Sequence, residues 1–123
     1  MTSFVSSLAR ASGDTGSCLC VGLDPDCERM PDAVCEAVRA SGRLLSLDGK
    51  RGDIGNTGRK YATALYDRLG GDAATVAPYM GSDSIAPFLE HEGRCAFVLA
   101  ATSNPGGADL QSLHARGPDG TER

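Results

Sequence analysis

Residues 44–57 read LLSLDGKRGDIGNT, an apolar run followed by charged residues and glycines. The stretch begins with a short apolar run that ends at Leu47, which is typical of a buried strand. The charged and glycine-containing residues after the run predict a functional loop at the end of that strand. A helix is predicted to resume near Asn56 or Thr57, because either side chain is a good N-cap. The stretch therefore predicts a strand, a polar loop and a helix in direct succession.

The same order of strand, turn and helix precedes this stretch. Residues 18–23, CLCVGL, form an apolar run that predicts a buried strand, and Asp24 follows at its carboxyl end. Residues 27–40 are rich in helix-favouring side chains, and Pro31 predicts that the regular helix begins near it. Gly42 is the predicted stop of this helix.

Two more strands are predicted after the stretch. Residues 60–70 carry apolar side chains at helical spacing and are followed by a terminating glycine pair. Residues 72–81 contain the third predicted strand, residues 84–91 a short helix, and residues 96–101 the fourth strand. Strands that alternate with helices predict an α/β fold with a parallel sheet.

Length and composition fit one folded domain. The chain has 123 residues, which suits a single domain over residues 1–123. Its 41% hydrophobic and 23% charged residues are ordinary globular usage, so composition indicates neither wholesale disorder nor a fibrous repeat. Residues 105–123 are polar and glycine-rich, and we expect a flexible tail there, with little packed structure after about His114.

Charge and hydropathy argue against two classes of partner. The formal net charge of -4 does not suit a broad nucleic-acid-binding face, which needs clustered Lys and Arg. No stretch approaches membrane-spanning length, and residues 1–17 lack the continuous apolar core of a secretion signal. We therefore expect a cytoplasmic protein that binds neither nucleic acid nor membrane.

The five cysteines predict reduced thiols, because an odd set without a secretion signal does not form a complete disulfide framework. Four of them, Cys18, Cys20, Cys27 and Cys35, suggest a zinc site as an alternative. Their spacing lacks the paired C-x-x-C knuckles of structural zinc sites. We expect no metal.

A dense group of charges follows the second predicted strand, where Asp48, Lys50, Arg51 and Asp53 lie within six residues. Opposite charges held close together orient an ammonium group, as a general acid requires. A solvated ion-pair cluster on the surface explains the same charges. On the residues alone, that surface interpretation is favoured.

Polar residues also follow the other predicted strands, at Asp24, at Tyr79 and at Ser103. Ligands collect at the carboxyl ends of parallel strands, so these residues could share one pocket with Asp48 and Lys50. Polar residues also begin ordinary loops in α/β proteins, which is the alternative explanation.

Four segments of the chain occur in an order that points to one enzyme family. They are LCVGLDPD at residues 19–26, LDGKRGDIGNT at 47–57, DAATVAPYMGSDSIAPFL at 72–89 and FVLAATSNPGGADLQ at 97–111. Together they resemble the longer, bacterial type (type 2) of orotidine 5'-phosphate decarboxylase. The resemblance implies a (β/α)8 TIM barrel, here a partial one with about four parallel strands.

The resemblance implies decarboxylation of orotidine 5'-phosphate to uridine 5'-phosphate in de novo pyrimidine biosynthesis. It also implies a homodimer with a shared active site and no metal or organic cofactor. Lys50 would donate a proton to pyrimidine C6, Asp48 would orient Lys50 and crowd the substrate carboxylate, and Asp53 would join from the neighbouring subunit. Like-charge repulsion at Asp48 and stabilisation of the carbanion by Lys50 give these roles a physical basis.

The same resemblance assigns four substrate-binding residues. Asp24 would contact the nucleotide, Thr57 the ribose across the dimer, and Ser103 the pyrimidine. Ile54 would form part of the apolar wall near the reacting carbon. Without the resemblance, loop capping and core filling explain these four residues.

The sequence departs from the family pattern in two places. Only one helix and one strand fit between Asp24 and Asp48, where the family has an additional strand with another lysine, and no lysine precedes Lys50. The C-terminal half of the barrel, with its glycine-rich phosphate loops and their arginine, has no counterpart after the fourth predicted strand. The alternative function is therefore a non-catalytic truncated remnant or interaction module of the same fold.

Overall fold

The computed structural model describes residues 3–20 and 32–122. The helices are α1 (Phe4–Thr15), α2 (Asp32–Ala40), α3 (Gly55–Ala62), α4 (Ala86–Leu89) and α5 (Ala108–Gln111), and the strands are β1 (Ser46–Arg51), β2 (Ala73–Val76) and β3 (Cys95–Val98). A π-helical segment, Thr63–Arg68, continues α3, and short 3-10 turns lie at Ser82–Ser84 and Pro105–Gly107. None of the helices in the described ranges has the length and apolar character needed to cross a membrane.

The three strands form one parallel sheet in the order β1-β2-β3. Helical segments connect each strand to the next, so the predicted α/β fold with a parallel sheet is confirmed. Three of the four predicted strands are present. Of the predicted strand at residues 18–23, residues 18–20 are exposed and not in a strand, and residues 21–23 lie outside the described residues.

Two strand boundaries differ from the prediction. The sequence predicts a loop from Asp48 onward, but β1 continues to Arg51, whose carbonyl accepts a hydrogen bond from Ala77 N at 2.8 Å. This bond keeps the end of β1 against the chain that leaves β2. β3 ends at Val98 rather than at residue 101, because β2, the strand it pairs with, ends at Val76.

The start of α3 also differs from the prediction. Neither Asn56 nor Thr57 caps the helix, since the N-cap position is occupied by Ile54, which makes no side-chain capping bond. Ile54 N instead donates to the Asp53 side chain at 2.8 Å. Gly55 has a φ of 59°, a backbone conformation that glycine adopts readily, and the helix therefore starts earlier than expected.

The predicted helix ends are confirmed at two glycine positions. α2 ends at Ala40 and is followed by Gly42, which has a φ of 72°. The π-helical segment is followed by Gly70 and Gly71. A Cβ atom at Gly71 would lie 2.8 Å from Leu47 Cδ1, so glycine allows this helix end to approach β1 closely.

The core lies between the sheet and the helical segments that follow β1 and β2. Its largest fully buried apolar side chains are Tyr66, Phe88, Leu45, Leu47 and Val76. Burial of such side chains contributes about 1.5–3 kcal/mol each. The Tyr66 ring meets Phe88 edge-on with centroids 6.1 Å apart, and the Tyr66 hydroxyl donates to Cys95 O at 2.8 Å. These contacts fix the helical layer against β3.

The amino ends of the strands are joined by Asp72. One of its carboxylate oxygens accepts from Leu45 N at 2.9 Å, and the other accepts from Arg94 Nη1 at 2.9 Å. The segments entering β1, β2 and β3 are thereby fastened together. This fastening sets the alignment of the three strands, and with it the positions of their carboxyl ends.

α1 packs loosely against the sheet. No residue of α1 is buried, and its Phe4 ring meets Phe97 edge-on with centroids 6.2 Å apart. A cavity of about 560 Å³ remains beneath the helix, and Leu8, Leu45 and Ala73 are among the residues that line it. The cavity lies near the amino ends of β1 and β2, away from the polar residues at their carboxyl ends.

Candidate active site

Asp48 and Lys50 form an ion pair within β1. The Lys50 Nζ atom lies 2.8 Å from Asp48 Oδ2, and the side chains are 51% and 32% exposed, respectively. The structure therefore brings together two of the three predicted catalytic residues. The ammonium group is open to solvent at this end of the sheet, where a substrate can reach it.

The ion pair lies where the pairing between β1 and β2 is irregular. Leu47 aligns with Ala74, and Arg51 aligns with Val76. The three residues of β1 between these positions therefore lie opposite one residue of β2, Thr75. The chain bulges at this point, which is a known way for a strand to redirect a side chain near an active site.

Lys50 has an uncommon backbone conformation within this bulge. Its φ is 45°, and it is the one non-glycine residue with a positive φ in the described part of the chain. The left-handed region is disfavoured for residues with a Cβ atom, and such strain is often found at functional sites. The unusual backbone separates Lys50 from an ordinary surface lysine on a strand.

Thr75 connects the two members of the ion pair. Its hydroxyl donates to Asp48 Oδ1 at 2.7 Å and accepts a hydrogen bond from Lys50 N at 2.9 Å. Sequence reasoning missed Thr75, which lies in a predicted strand without any motif signal. Only the strand register, with its bulge, places this hydroxyl between Asp48 and Lys50.

The surroundings of Asp48 stabilise its charged form. Hydrogen bonds from Lys50 and from Thr75 lower the pKa of Asp48 below its ordinary value, the bond from Lys50 being the larger cause, while partial burial opposes the shift. Asp48 is thus a carboxylate at neutral pH. A negative charge next to an ammonium group can repel an anionic group of a ligand while it orients the cation.

Within one chain, Asp53 does not join the ion pair of Asp48 and Lys50. It forms no ion pair with Lys50 among the described residues, and its side chain accepts from Ile54 N at 2.8 Å. The main chain here is closely packed, since a Cβ atom at Gly58 would lie 2.5 Å from Asp53 O. Asp53 is therefore held at the start of α3, beyond the end of β1.

The remaining predicted binding residues are distributed along the same edge of the sheet. Ile54 and Thr57 are exposed at the start of α3, after the carboxyl end of β1, and Ser103 is exposed after the carboxyl end of β3. Asp24 lies outside the described residues. Parallel strands present their carboxyl ends on one edge, so the three described residues share the edge that carries Lys50.

Two loops at this edge are fixed by side chains that sequence reasoning missed. The buried Ser84 hydroxyl shares its one hydrogen between Gly81 O at 2.8 Å and Ala77 O at 3.2 Å, which holds the loop after β2. Gln111 Oε1 accepts from Thr102 N at 2.8 Å, and Gln111 Nε2 donates to Thr102 Oγ1 at 2.9 Å. This second pair fastens the residue before Ser103 to α5.

None of the described cysteines takes part in the hydrogen bonds of Asp48, Lys50 and Thr75. Cys18, Cys20, Cys35 and Cys95 are free thiols, and Cys27 lies outside the described residues. Cys35 is buried in the core, whereas Cys18 and Cys20 are exposed. Within residues 3–20 and 32–122, no three His, Cys, Asp or Glu side chains are grouped as a metal site requires.

The known proteins to which this chain is similar belong to one family. Residues 27–121 match the orotidine 5'-phosphate decarboxylase / HUMPS family. An orotidine 5'-phosphate decarboxylase from Variovorax paradoxus is 37% identical over 95% of this chain and 60% of its own length. One from Roseiflexus castenholzii is 38% identical over 95% of this chain and 58% of its own length.

Solved structures show the same likeness. A structure described as a putative orotidine 5'-phosphate decarboxylase from Streptomyces avermitilis is 31% identical, with a TM-score of 0.77 over 99% of this chain and 60% of that chain. The Leishmania donovani OMP decarboxylase is 33% identical, with a TM-score of 0.73 over 93% of this chain and 60% of that chain. The chain thus spans about 60% of the length of these relatives.

Proposed function

The chain belongs to the orotidine 5'-phosphate decarboxylase / HUMPS family, and on that basis we propose that it acts as a carboxy-lyase that converts orotidine 5'-phosphate to uridine 5'-phosphate in pyrimidine biosynthesis. The ion pair between Asp48 and Lys50, held in a strained bulge at the carboxyl end of a parallel strand, carries the proposal. A surface salt bridge needs neither the bulge nor the left-handed backbone at Lys50.

The proposed chemistry follows from the charges of the pair. A substrate carboxylate placed near Asp48 is destabilised by like-charge repulsion, and this repulsion is relieved as carbon dioxide leaves. The carbanion that develops at pyrimidine C6 is stabilised by the Lys50 ammonium, which then donates a proton to that carbon. Asp48 keeps the ammonium directed, because Nζ and Oδ2 are only 2.8 Å apart.

The other site residues enter the proposal through a second copy of the chain. Asp53 does not reach Lys50 within one chain, and Ile54 is 51% exposed beside it. In a homodimer that joins these edges, Asp53, Ile54 and Thr57 of one copy would complete the site of the other. Asp24 and Ser103 would contact the nucleotide, and the pathway would place the protein in the cytoplasm.

The decisive experiment is an assay of the purified chain with orotidine 5'-phosphate. Turnover is monitored as the decrease in absorbance of the substrate. Lys50→Ala is assayed in parallel, because it removes the proposed proton donor. Lys60→Ala is the matched control, since Lys60 is an exposed lysine of α3 that forms no ion pair with any described residue. We expect turnover in the original chain and in Lys60→Ala, and its loss in Lys50→Ala.

Two other results contradict the proposal. Equal activity in all three proteins indicates a contaminating enzyme or a site that does not depend on Lys50. No activity in any of them, with folding confirmed by circular dichroism, indicates that this chain is not a decarboxylase by itself. That result favours the non-catalytic interaction module of the same fold.

A further inference from the structure

We propose that Thr75 is a positioning residue, whose hydroxyl holds the Asp48 carboxylate and the Lys50 main chain in the geometry that directs the Lys50 ammonium to the substrate. The inference rests on the proposed function and extends it to a residue on the neighbouring strand. The Thr75 hydroxyl bonds to the Asp48 carboxylate and to the Lys50 main chain, whereas the Lys50 ammonium pairs with the other oxygen of Asp48.

One oxygen atom, Thr75 Oγ1, makes two hydrogen bonds next to the ion pair. Thr75 Oγ1 donates its hydrogen to Asp48 Oδ1 at 2.7 Å and accepts the Lys50 amide hydrogen at 2.9 Å. A hydroxyl group has one hydrogen to donate and lone pairs to accept with, so both roles are filled together. The relative positions of a side-chain carboxylate and a main-chain amide are thereby fixed through one atom.

The unusual backbone of Lys50 is also bonded to the Thr75 hydroxyl. Between the pairs Leu47 with Ala74 and Arg51 with Val76, the regular ladder of β1 and β2 is interrupted. Lys50 N donates a hydrogen bond to the Thr75 side chain, and the φ of Lys50 is 45°. The hydroxyl thus supports a conformation that a residue with a Cβ atom does not readily adopt.

Both hydrogen bonds of Thr75 are made to members of the ion pair. Asp48 uses Oδ1 for Thr75 and Oδ2 for Lys50 Nζ, so its carboxylate is clamped between the neighbouring strand and the ammonium. Without the hydroxyl, the carboxylate can rotate and the bulge can relax. Small errors of position at a reacting group reduce rates strongly, since catalysis depends on aligned groups.

The test compares Thr75→Val with Thr75→Ser. Valine keeps the branched shape that suits a strand but removes both hydrogen bonds, whereas serine keeps the hydroxyl. Thr63→Val in the π-helical segment is the matched control, because the Thr63 hydroxyl bonds to no described residue. Circular dichroism and thermal unfolding establish that each variant is folded.

Two NMR measurements report on the pair without any need for turnover. In Thr75→Val, we expect the pKa of Asp48 to rise and the Lys50 amide to exchange with solvent at least about threefold faster, as loss of one hydrogen bond predicts. Thr75→Ser and Thr63→Val should leave both quantities close to those of the original chain. If Thr75→Val changes neither quantity, or if serine behaves like valine, the proposal is overturned.

Kinetics then separate positioning from substrate binding. We expect Thr75→Val to lower kcat by about tenfold or more with little change in KM, and Thr75→Ser to restore kcat. An unchanged kcat in Thr75→Val contradicts the positioning role even if the NMR changes appear. If the original chain shows no turnover, the proposed function fails, and the NMR results alone decide whether Thr75 holds the pair.

Discussion

Asp48 links a neutral hydroxyl and a charged ammonium through its two carboxylate oxygens. Both partners donate hydrogen bonds to the charged form, and partial burial is the smaller, opposing effect. The same contacts that direct Lys50 therefore also make the folded state prefer an ionised Asp48. Because of this coupling, the contribution of Asp48 to the free energy of unfolding depends on pH.

Replacement of Asp48 tests that coupling. Because the pKa of Asp48 is lowered below its ordinary value of 3.8 on folding, its contribution is present above pH 3.8 and is lost as pH falls through the folded pKa. The free energy of unfolding of Asp48→Asn should therefore decrease less steeply as pH falls than that of the original chain. The difference should be less than about 1 kcal/mol, because the pair is partly exposed.

The measurement is urea denaturation at several pH values between neutrality and about pH 2.5, around the reference pKa of a carboxyl group. Asp109→Asn is the control, because Asp109 is exposed at the start of α5 and makes no hydrogen bond or ion pair with a described residue. Its pH profile should match that of the original chain. Parallel profiles for Asp48→Asn and the original chain would contradict the assigned contacts of Asp48.

At the scale of secondary-structure elements, Tyr66 connects the π-helical segment to the sheet. The side chain is fully buried, and its hydroxyl donates to Cys95 O at the start of β3. Burial is the main cause that raises the pKa of Tyr66 to about 12. The folded state therefore favours the neutral phenol, which donates the hydrogen bond between the helical layer and β3.

Alkaline pH should weaken this connection. With a folded pKa of about 12 and an ordinary value of 10.0, Tyr66 contributes stability below pH 10 that is lost as pH rises towards 12. Tyr66→Phe should lower the free energy of unfolding at neutral pH by about 1 kcal/mol, because Cys95 O loses its hydrogen bond. It should also flatten the decrease in stability between pH 10 and 12. Urea denaturation across this range measures both effects.

Tyr79→Phe serves as the control for that experiment, because Tyr79 is 82% exposed in the loop after β2. It should change neither the neutral stability nor the alkaline slope. If both tyrosine variants show the same profile, the hydrogen bond to Cys95 does not stabilise the helical layer.

The order of elements from α2 to β3 could be predicted from sequence, but α1 and the arrangement that makes the site could not. Apolar runs and glycine stops depend on local sequence, and they correctly located β2, β3 and the helix ends. The bulge of β1 and the role of Thr75 depend on the register between two strands, which no local pattern contains. Asp48 and Lys50 were identified by family resemblance, whereas the hydroxyl that joins them needed the structure.

At the scale of the whole molecule, β3 is an edge of the sheet. It pairs with β2, and within residues 3–20 and 32–122 no strand lies on its other side. Phe97 and Val98 are partly exposed there, and their main chain is available to another strand. An open edge with apolar side chains favours association between copies of the chain, in addition to the homodimer proposed through the edge that carries Lys50.

A charge on this edge should suppress the additional association. Val98 is 46% exposed, and Val98→Lys places an ammonium where a second strand would pair, which discourages edge-to-edge contact. Sedimentation velocity over a range of concentrations should show species larger than a dimer for the original chain and their loss in Val98→Lys. Val5→Lys is the control, since Val5 is 73% exposed and belongs to α1 rather than to β3, and it should keep the larger species. If Val98→Lys retains them as well, the free edge of β3 is not the surface through which the copies associate.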